Sequence, residues 1–422
     1  MKPKYYSLLI IAFISKVFSS EVNAQLTIDA QYRNRFEVRD GYRQIVQDGS
    51  TPAVFISQRT RISLHYQTDD LKVRFTPQDV RIWGDEQLAT STGVFGDQAA
   101  LDLFEGYIEL KAGNTGWVSV GRQQLVYDNQ RLLGKRNWNQ FGISYDAVAV
   151  KLQLNDWNLH IAGSWNTLLE TIIDNTYPSG RIKSLNFIWL NRNLNDNLNF
   201  SLKHIASGVT ETDTTNTIHF RQTSGIYSEY KNDNLSISGN VYYQYGKNKT
   251  GTNLSAYLID ADVSCKISNL TPGIGVDYLS GNDKIGTDLK TDNLFDVLYG
   301  SRHQYFGYMD YFRNFLSHTN QGGLADYYFY LDYKFSKSLS VRNIGHCFRL
   351  AQTNPTTPGD KNLGFENDLV LKYKFEDWGT LESGYAFIVP AESLKTMQGV
   401  PNEKLQQFFF LQLTITPTLF KQ

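Results

Sequence analysis

The segment from Gln25 to Arg39 alternates between two kinds of side chain over fifteen residues. Its even positions are mostly apolar and its odd positions are polar or charged: Leu26, Ile28, Ala30, Tyr32, Asn34, Phe36 and Val38 against Gln25, Thr27, Asp29, Gln31, Arg33, Arg35, Glu37 and Arg39. Successive side chains of a β-strand point to opposite faces, and most soluble strands have only about 5–6 residues. This length is typical of a tilted strand that crosses a bilayer, with lipid on one face and water on the other.

The first 24 residues predict a separate targeting segment. Two lysines precede an apolar run over residues 5–15, and Val22-Asn23-Ala24 supplies small residues after it. This pattern is typical of a secretory signal peptide, removed after residue 24. An N-terminal anchor helix is the alternative, but Lys16 and Glu21 leave too short an apolar stretch for one.

Residues 25–422 show no linker and no low-complexity segment, so we expect a single domain. Aromatic residues make up 14% of the sequence, with 26 Tyr and 25 Phe, as in barrels with aromatic girdles at both membrane interfaces. The formal net charge of −1 predicts no nucleic-acid partner. A soluble β-sandwich is the alternative fold, but it would require neither a signal peptide nor so much tyrosine.

Eight short breaks separate the alternating segments, and their Asn, Asp, Gly, Ser and Pro residues suit tight turns. They are Thr68–Asp70, Ala112–Gly116, Asn155-Asp156, Asn193–Asn197, Asn232–Asn234, Ser268–Pro272, Ser336–Ser338 and Glu376-Asp377. Longer irregular stretches lie between them, the longest near Gly281–Gly322. Bacterial barrels have short periplasmic turns and long outer loops. Eight turns joining successive hairpins therefore predict an all-β, antiparallel transmembrane barrel of about 18 strands in the bacterial outer membrane.

The polar faces of the first three strands are mostly basic. They carry Arg33, Arg35, Arg39, Arg59, Arg61, Lys72 and Arg74, against Asp29 and Glu37. A basic ring in a pore favours anions, and guanidinium groups match carboxylates geometrically. The alternative is that these residues pair with acids inside the barrel, such as Glu105, Glu109, Asp326 or Asp332.

A stretch from Gly121 to Gly134, followed by Asn137–Gln140 and Ser144-Tyr145-Asp146, mixes charges, amides and aromatic rings without an amphipathic period. The strand count places it at the outer end of strand five and in the third outer loop. We expect this loop to fold into the lumen, where its polar groups can satisfy one another. A rigid structural loop is the alternative.

The run GRQxLxYDxQRLLGxxNWxQ within this stretch resembles the alginate export porins of Gram-negative outer membranes. Residues 277–283, 298–311 and 384–392 also resemble that family. The resemblance implies an 18-stranded barrel with an arginine-rich conduit constricted by inward loops, as in relatives that export an anionic uronate polysaccharide. The matching positions are Arg122, Arg131 and Asp146, with Asp128 and Trp138 shaping the loop. Ile143 departs from the pattern, so the resemblance does not by itself identify alginate as the solute.

Together these arguments define two sets of candidate residues. The substrate path is predicted to contain Arg33, Arg35, Arg59, Arg61, Arg74, Arg122, Arg131 and Asp146. The loop constriction is predicted to contain Tyr127, Asp128, Trp138, Arg302, Tyr308 and Asp310. The long seventh loop adds further rings beside basic groups, which suits either stacking on an acidic glycan or a packed plug: Tyr299, Tyr305, Phe306, Tyr311 and Phe312 beside His303 and Arg313.

No catalytic motif accompanies these residues, and the seven histidines show no metal-binding spacing. Asp283, Asp288 and Asp292 suggest a Ca²⁺ loop but lack the ordered spacing of one, so we expect no cofactor. Cys265 and Cys347 could pair in an oxidising envelope, but Cys265 falls on an apolar strand face, which favours a free thiol that faces lipid.

The sequence therefore predicts a passive outer-membrane channel for an anionic solute, an acidic polysaccharide or oligosaccharide. A general or small-anion porin is the alternative, and a barrel enzyme or adhesin is a remote one. The expected partners are membrane lipid, the anionic saccharide or small anion, and periplasmic export or uptake components. The direction of transport stays open.

Overall fold

The computed structural model describes residues 24–84, 88–89, 93–94, 101–173 and 176–422. The predicted signal peptide lies outside the described residues. Within the described ranges, no helix is long and apolar enough to cross a membrane.

Eighteen antiparallel strands form one closed sheet. They are β1 (Gln25–Asp40), β2 (Ala53–Gln67), β3 (Leu71–Ile82), β4 (Leu101–Ala112), β5 (Gly116–Gln123), β6 (Tyr145–Leu154), β7 (Trp157–Trp165), β8 (Ser184–Asn195), β9 (Leu198–Thr210), β10 (Ile218–Lys231), β11 (Leu235–Gly246), β12 (Ala256–Cys265), β13 (Leu270–Leu279), β14 (Leu324–Lys334), β15 (Leu339–Arg349), β16 (Asn362–Glu376), β17 (Gly379–Pro390) and β18 (Gln406–Ile415, continued by Thr418–Lys421).

Short elements occupy the connections. The helices are α1 (Phe315–His318) and α2 (Glu392–Gln398), with 3₁₀ turns at Gly286–Asp288 and Arg302–Gln304. The connections also contain two pairs of two-residue strands. Leu88–Ala89 pairs with Gly93–Val94, and Asn253–Leu254 pairs with Thr291–Asp292.

The barrel closes where β1 pairs with both β2 and β18. Arg33 lies opposite Arg59 on one side and Thr414 on the other. Closure leaves no sheet edge, so the strand backbone satisfies its own hydrogen bonds, as a bilayer core requires. The predicted fold class is confirmed, and all eight predicted tight turns fall between paired strands. We call the end of the barrel that carries these eight tight turns the short-turn end, and the opposite end the loop end.

The alternating pattern separates an apolar outer surface from a polar interior. Ile62, Phe329 and Leu369 are between 42% and 51% exposed on the outside. Their inward neighbours are buried charged groups, such as Arg59 and Asp368, which are fully buried. Cys265 and Cys347 are free and exposed, and the free thiol that strand parity predicted for Cys265 is confirmed.

Candidate functional site

The connection from β5 to β6, residues 124–144, folds into the lumen and contacts three separate sectors of the wall. We call it loop 3. Its first anchor is Asp128, whose buried carboxylate contacts Lys203 on β9 at 2.7 Å and accepts hydrogen bonds from Trp189 Nε1 and Ser201 Oγ at 2.8 Å. Tyr127 packs beside it on the same wall, 5.2 Å from the Trp189 ring. Tyr127 and Asp128 therefore hold the base of the loop against β8 and β9.

The second anchor is Arg131, which reaches β12 and β13. Its guanidinium group forms two hydrogen bonds to Asp277, at 2.6 and 3.0 Å, and its Nε lies 3.1 Å from Asp260 Oδ2. The ring of Tyr305 lies 3.5 Å from the guanidinium carbon. Burial alone would lower the pKa of Arg131, but the two carboxylates raise it above its ordinary value. Arg131 therefore carries a compensated charge and cross-links loop 3 to the wall.

The third anchor is the basic wall of β1 and β2. Arg33 donates to the carbonyls of Asn137 and Asn139 at 2.7 and 3.2 Å and to Gln140 Oε1 at 2.9 Å. Arg59 donates to the Gln140 carbonyl at 3.1 Å and to Asn137 Oδ1 at 3.0 Å. Arg35 and Arg61 likewise donate to the carbonyls of residues 138 and 141. Four of the predicted path arginines thus hold loop 3 by its backbone.

The connection from β13 to β14, residues 280–323, is the second inward segment, and we call it loop 7. Its backbone joins loop 3 directly, because Tyr299 N donates to the Leu132 carbonyl and Ser301 N to the Gln130 carbonyl, both at 3.0 Å. The two loops share a small apolar core whose members are almost fully buried: Leu132, Leu133, Phe295, Phe306, Met309, Tyr311, Phe312 and Phe315. Phe306, Tyr311 and Phe312 therefore pack a plug and are not free to stack on a sugar.

Acidic residues of β16 hold loop 7 by its N–H groups. Glu366 accepts from Met309 N at 2.8 Å, and Asp368 accepts from Tyr308 N at 3.1 Å. Gly307 makes this approach possible, because it adopts a φ of +78° and a Cβ there would lie 2.2 Å from the Glu366 carboxylate. The basic wall thus binds loop carbonyls, and the acidic wall binds loop N–H groups. Sequence reasoning missed Glu366 and Asp368, although both share the inward parity of β16.

Trp138 marks the place where loops 3 and 7 meet. Its ring lies between the guanidinium group of Arg35, 3.8 Å away, and the imidazole of His303, stacked at 3.9 Å. Its Nε1 donates to the Tyr42 hydroxyl at 3.3 Å. This sandwich combines cation–π and stacking contacts, so the predicted constriction residue Trp138 lies in a packed cluster.

Asp310 is the buried acceptor of the same cluster. It accepts from the Tyr42 hydroxyl at 2.5 Å, contacts His303 at 2.9 Å, and has Arg43 at 3.6 Å and Arg313 at 4.0 Å. Burial alone would raise the pKa of Asp310, but His303, Tyr42 and Arg43 together lower it below its ordinary value. Tyr42 and Arg43 come from the loop after β1, whose sequence has no periodic signal that would reveal them.

Lowering the pH should leave the Asp310 cluster intact down to strongly acidic conditions. Because the folded-state pKa is lowered, the stabilisation is complete above the ordinary aspartate pKa of about 3.9 and disappears only as the pH falls through the lowered value. The reporter of the cluster is Trp138 fluorescence, obtained at each pH by subtracting the emission spectrum of Trp138→Phe from that of the parent. In Asp310→Asn the acid transition of this signal should be absent, and an acid transition with the same midpoint in the parent and in Asp310→Asn would contradict the assignment.

A cavity of about 1230 Å³ lies beside the loops and spans most of the barrel. It extends from Arg39 and Ile82, at the loop end, to Asp262 and Arg342, three residues from the short-turn ends of β12 and β15. Ten basic side chains line it against four acidic ones: Arg35, Arg39, Arg43, Arg81, Arg131, Lys135, Arg136, Arg302, Arg313 and Arg342 against Glu37, Asp260, Asp262 and Asp310. We call it the central cavity.

The predicted residues are distributed over different places. Among the predicted path residues, Arg35 and Arg131 line the central cavity, while Arg122 and Asp146 line a second cavity and pair at 2.9 Å. Arg74 pairs with Glu105 on β4 at 2.7 Å, the alternative the sequence left open. The predicted constriction residues Trp138, Arg302, Tyr308 and Asp310 all line the central cavity. Among the described residues, no three His, Cys, Asp or Glu side chains converge as a metal site.

The fold places the chain in the architectural class of outer-membrane porins. It is similar to the crystal structures of OpdO from Pseudomonas aeruginosa (TM-score 0.62, 12% identity, 94% of this chain and 98% of that chain) and OccAB2 from Acinetobacter baumannii (0.60, 14%, 94% and 98%). A BenF-like porin from Pseudomonas fluorescens Pf-5 is similar too (0.62, 12%, 93% and 99%). At these identities the likeness establishes the fold alone.

The evidence for a particular family comes from the sequence and not from the fold. Residues 24–164 match the family model described as alginate export, so the resemblance seen in the third loop is confirmed over this part of the chain. No curated protein matches the sequence significantly.

Proposed function

We propose that the protein is a passive outer-membrane channel that prefers anionic solutes, with acidic saccharides as its class of cargo. The observation that carries this proposal is the central cavity, in which basic residues outnumber acidic ones ten to four although the whole chain has a net charge of −1. A low-dielectric wall concentrates this local field, which raises the local concentration of anions.

The choice of acidic saccharides as cargo rests on the aromatic rings that lie beside these charges. Tyr305, Tyr308, Tyr328 and Tyr330 line the same cavity as the arginines. A pyranose ring offers an apolar face to an aromatic side chain, and its carboxylate suits a guanidinium fork. The match of residues 24–164 to the alginate export family supports the same class.

Removing positive charge from the central cavity should lower its selectivity for anions over cations. In the described part of the chain, Lys135 is exposed there without a carboxylate within 4 Å, and the only carboxylate within 4 Å of Arg342 is the half-buried Asp332, at 3.4 Å. We expect Lys135→Gln with Arg342→Gln to lower the anion-over-cation permeability ratio by up to about tenfold. The measurement is the reversal potential in a salt gradient across a planar bilayer.

The matched control is Lys284→Gln with Lys290→Gln. Both lysines are exposed on loop 7 and neither lines the central cavity, so the net charge changes equally and the selectivity should stay at the parent value. Equal loss in both variants would overturn the proposal. Liposome swelling then separates cargo classes, because free passage of neutral disaccharides would indicate a general porin.

A further inference from the structure

A second cavity of about 760 Å³ lies at the loop end of the barrel, and we call it the outer recess. It differs from the central cavity in depth, because every strand residue that lines it lies within four residues of a strand's loop end. Its deepest strand residues are Gln78, Phe104, Ser207 and Arg221. The recess therefore has no lining near the short-turn end.

The outer recess is also basic. Seven basic residues line it against three acidic ones: Arg122, Arg136, Arg181, Arg221, Lys247, Lys249 and Arg302 against Asp102, Asp146 and Asp296. The acids are already engaged, since Asp146 and Asp102 lie near Arg122, at 2.9 and 3.9 Å, and Asp296 lies 3.7 Å from Arg302.

Four of the cations have no such partner. Within the described ranges, no carboxylate lies within 4 Å of Arg181, Arg221, Lys247 or Lys249; Arg221 donates only to the Gln244 amide oxygen, at 2.8 Å. These cations come from the connection before β8, from β10 and from the connection after β11. Several chain segments therefore bring to one cavity positive charge that has no ion-pair partner within 4 Å among the described residues; Asp213 interacts with Lys249 only from a longer distance.

A buried polar group points independently to a ligand. Tyr145, at the start of β6, lines the outer recess and is only 6% exposed. Its hydroxyl has no hydrogen-bond partner among the described residues. A buried hydroxyl without a partner costs free energy, and a ligand oxygen in the recess would remove that cost.

We propose that the outer recess is a capture site, separate from the permeation path, for an acidic oligosaccharide that carries two or more carboxylates. The proposal rests on the proposed anion channel and adds a binding site to it. Cations spread over three segments match several carboxylates better than a single small anion. The volume is in the range of about 300–1,000 Å³ that small-molecule sites occupy, and Tyr177 and Tyr299 add ring surfaces.

Arg136 and Arg302 line both cavities and connect the capture site to the path. Both donate to the carbonyl of Leu298, at 2.7 and 3.0 Å. A carboxylate that leaves the recess would meet these two guanidinium groups before it reaches the central cavity. The two arginines therefore join the outer recess to the central cavity for a solute that moves in either direction.

The experiment is calorimetric titration of the full-length, detergent-purified protein with trigalacturonate. We expect Lys247→Gln with Lys249→Gln to weaken binding by about tenfold, as expected for two exposed ion pairs, and Tyr145→Phe to weaken it by a smaller factor. The Lys284→Gln, Lys290→Gln control should bind like the parent. Maltotriose, which is neutral, should not bind.

Three outcomes would overturn the capture site: no trigalacturonate binding to the parent, equal loss in the control, or phosphate binding as tight as trigalacturonate. Reversal potentials measured on the same variants distinguish failure of the capture site from failure of the channel proposal. Lys247→Gln with Lys249→Gln should retain the parent's chloride selectivity, and its loss would place the recess on the path. A parent that binds trigalacturonate but shows no anion selectivity would refute the channel proposal alone.

Discussion

Replacing Arg33 and Arg59 together with methionine should increase single-channel conductance and its fluctuations. The two side chains donate five hydrogen bonds to loop 3 at or below 3.2 Å. Hydrogen bonds to charged groups contribute about 1.5–3 kcal/mol each. Their loss should loosen residues 137, 139 and 140, because Arg131 and Asp128 hold only the earlier part of the loop and Arg35 and Arg61 hold only the carbonyls of residues 138 and 141.

One opposing effect has to be weighed. Arg33 and Arg59 face each other directly across β1 and β2, and like charges in such a pair destabilise a sheet by about 0.2–1 kcal/mol. The replacement relieves that repulsion, but the gain is smaller than the loss of several charge-assisted bonds. The variant barrel should therefore fold, with a loosened loop 3 inside it.

Arg74→Met is the matched control for this experiment. Arg74 lies on the neighbouring strand β3 and pairs with Glu105 of the wall at 2.7 Å, so its loss should leave loop 3 in place. Conductance traces of Arg33→Met, Arg59→Met that match those of the parent and of Arg74→Met would show that the basic wall does not hold the loop.

The barrel could be predicted because its signals are local. Alternation within β1 and the composition of each tight turn depend on neighbouring residues only. The inward fold of loop 3 was also predictable, since its polar groups follow no amphipathic period. What each wall charge contacts depends on residues about 100 positions away in the sequence, such as Arg33 and Asn137. The basic face was therefore visible, but its attachment to loop carbonyls was not.

The same dependence on distant residues explains why two predicted constriction residues do not line the central cavity. Tyr127 and Asp128 belong to the matching family motif, yet they anchor the base of loop 3 on β8 and β9. Asp260 showed no signal beyond strand parity, and Asp277 belongs to a stretch that resembles the family, but neither signal identified Arg131 as their partner. Pairing between a loop and distant strands is a tertiary property, and no local pattern encodes it.

Arg131→Met should cause the largest loss of stability of any single change considered. The replacement leaves Asp260 and Asp277 buried without their cation, and breaking a buried pair in this way typically costs about 3–5 kcal/mol. Loop 3 should also lose its central attachment and become open to proteolysis near residue 131. Heat-dependent gel mobility reports barrel unfolding, and limited proteolysis reports the loop.

The triple variant Arg131→Met, Asp260→Asn, Asp277→Asn separates the buried charge from the packing. Amides remove both negative charges and retain nearly the same shape, so most of the lost stability should return. If the triple variant unfolds as readily as Arg131→Met, the loss comes instead from the contact with the Tyr305 ring, 3.5 Å from the guanidinium carbon. Recovery would mean that Arg131 serves chiefly to neutralise two wall carboxylates, and that the anion preference of the lumen depends on the cations that remain unpaired.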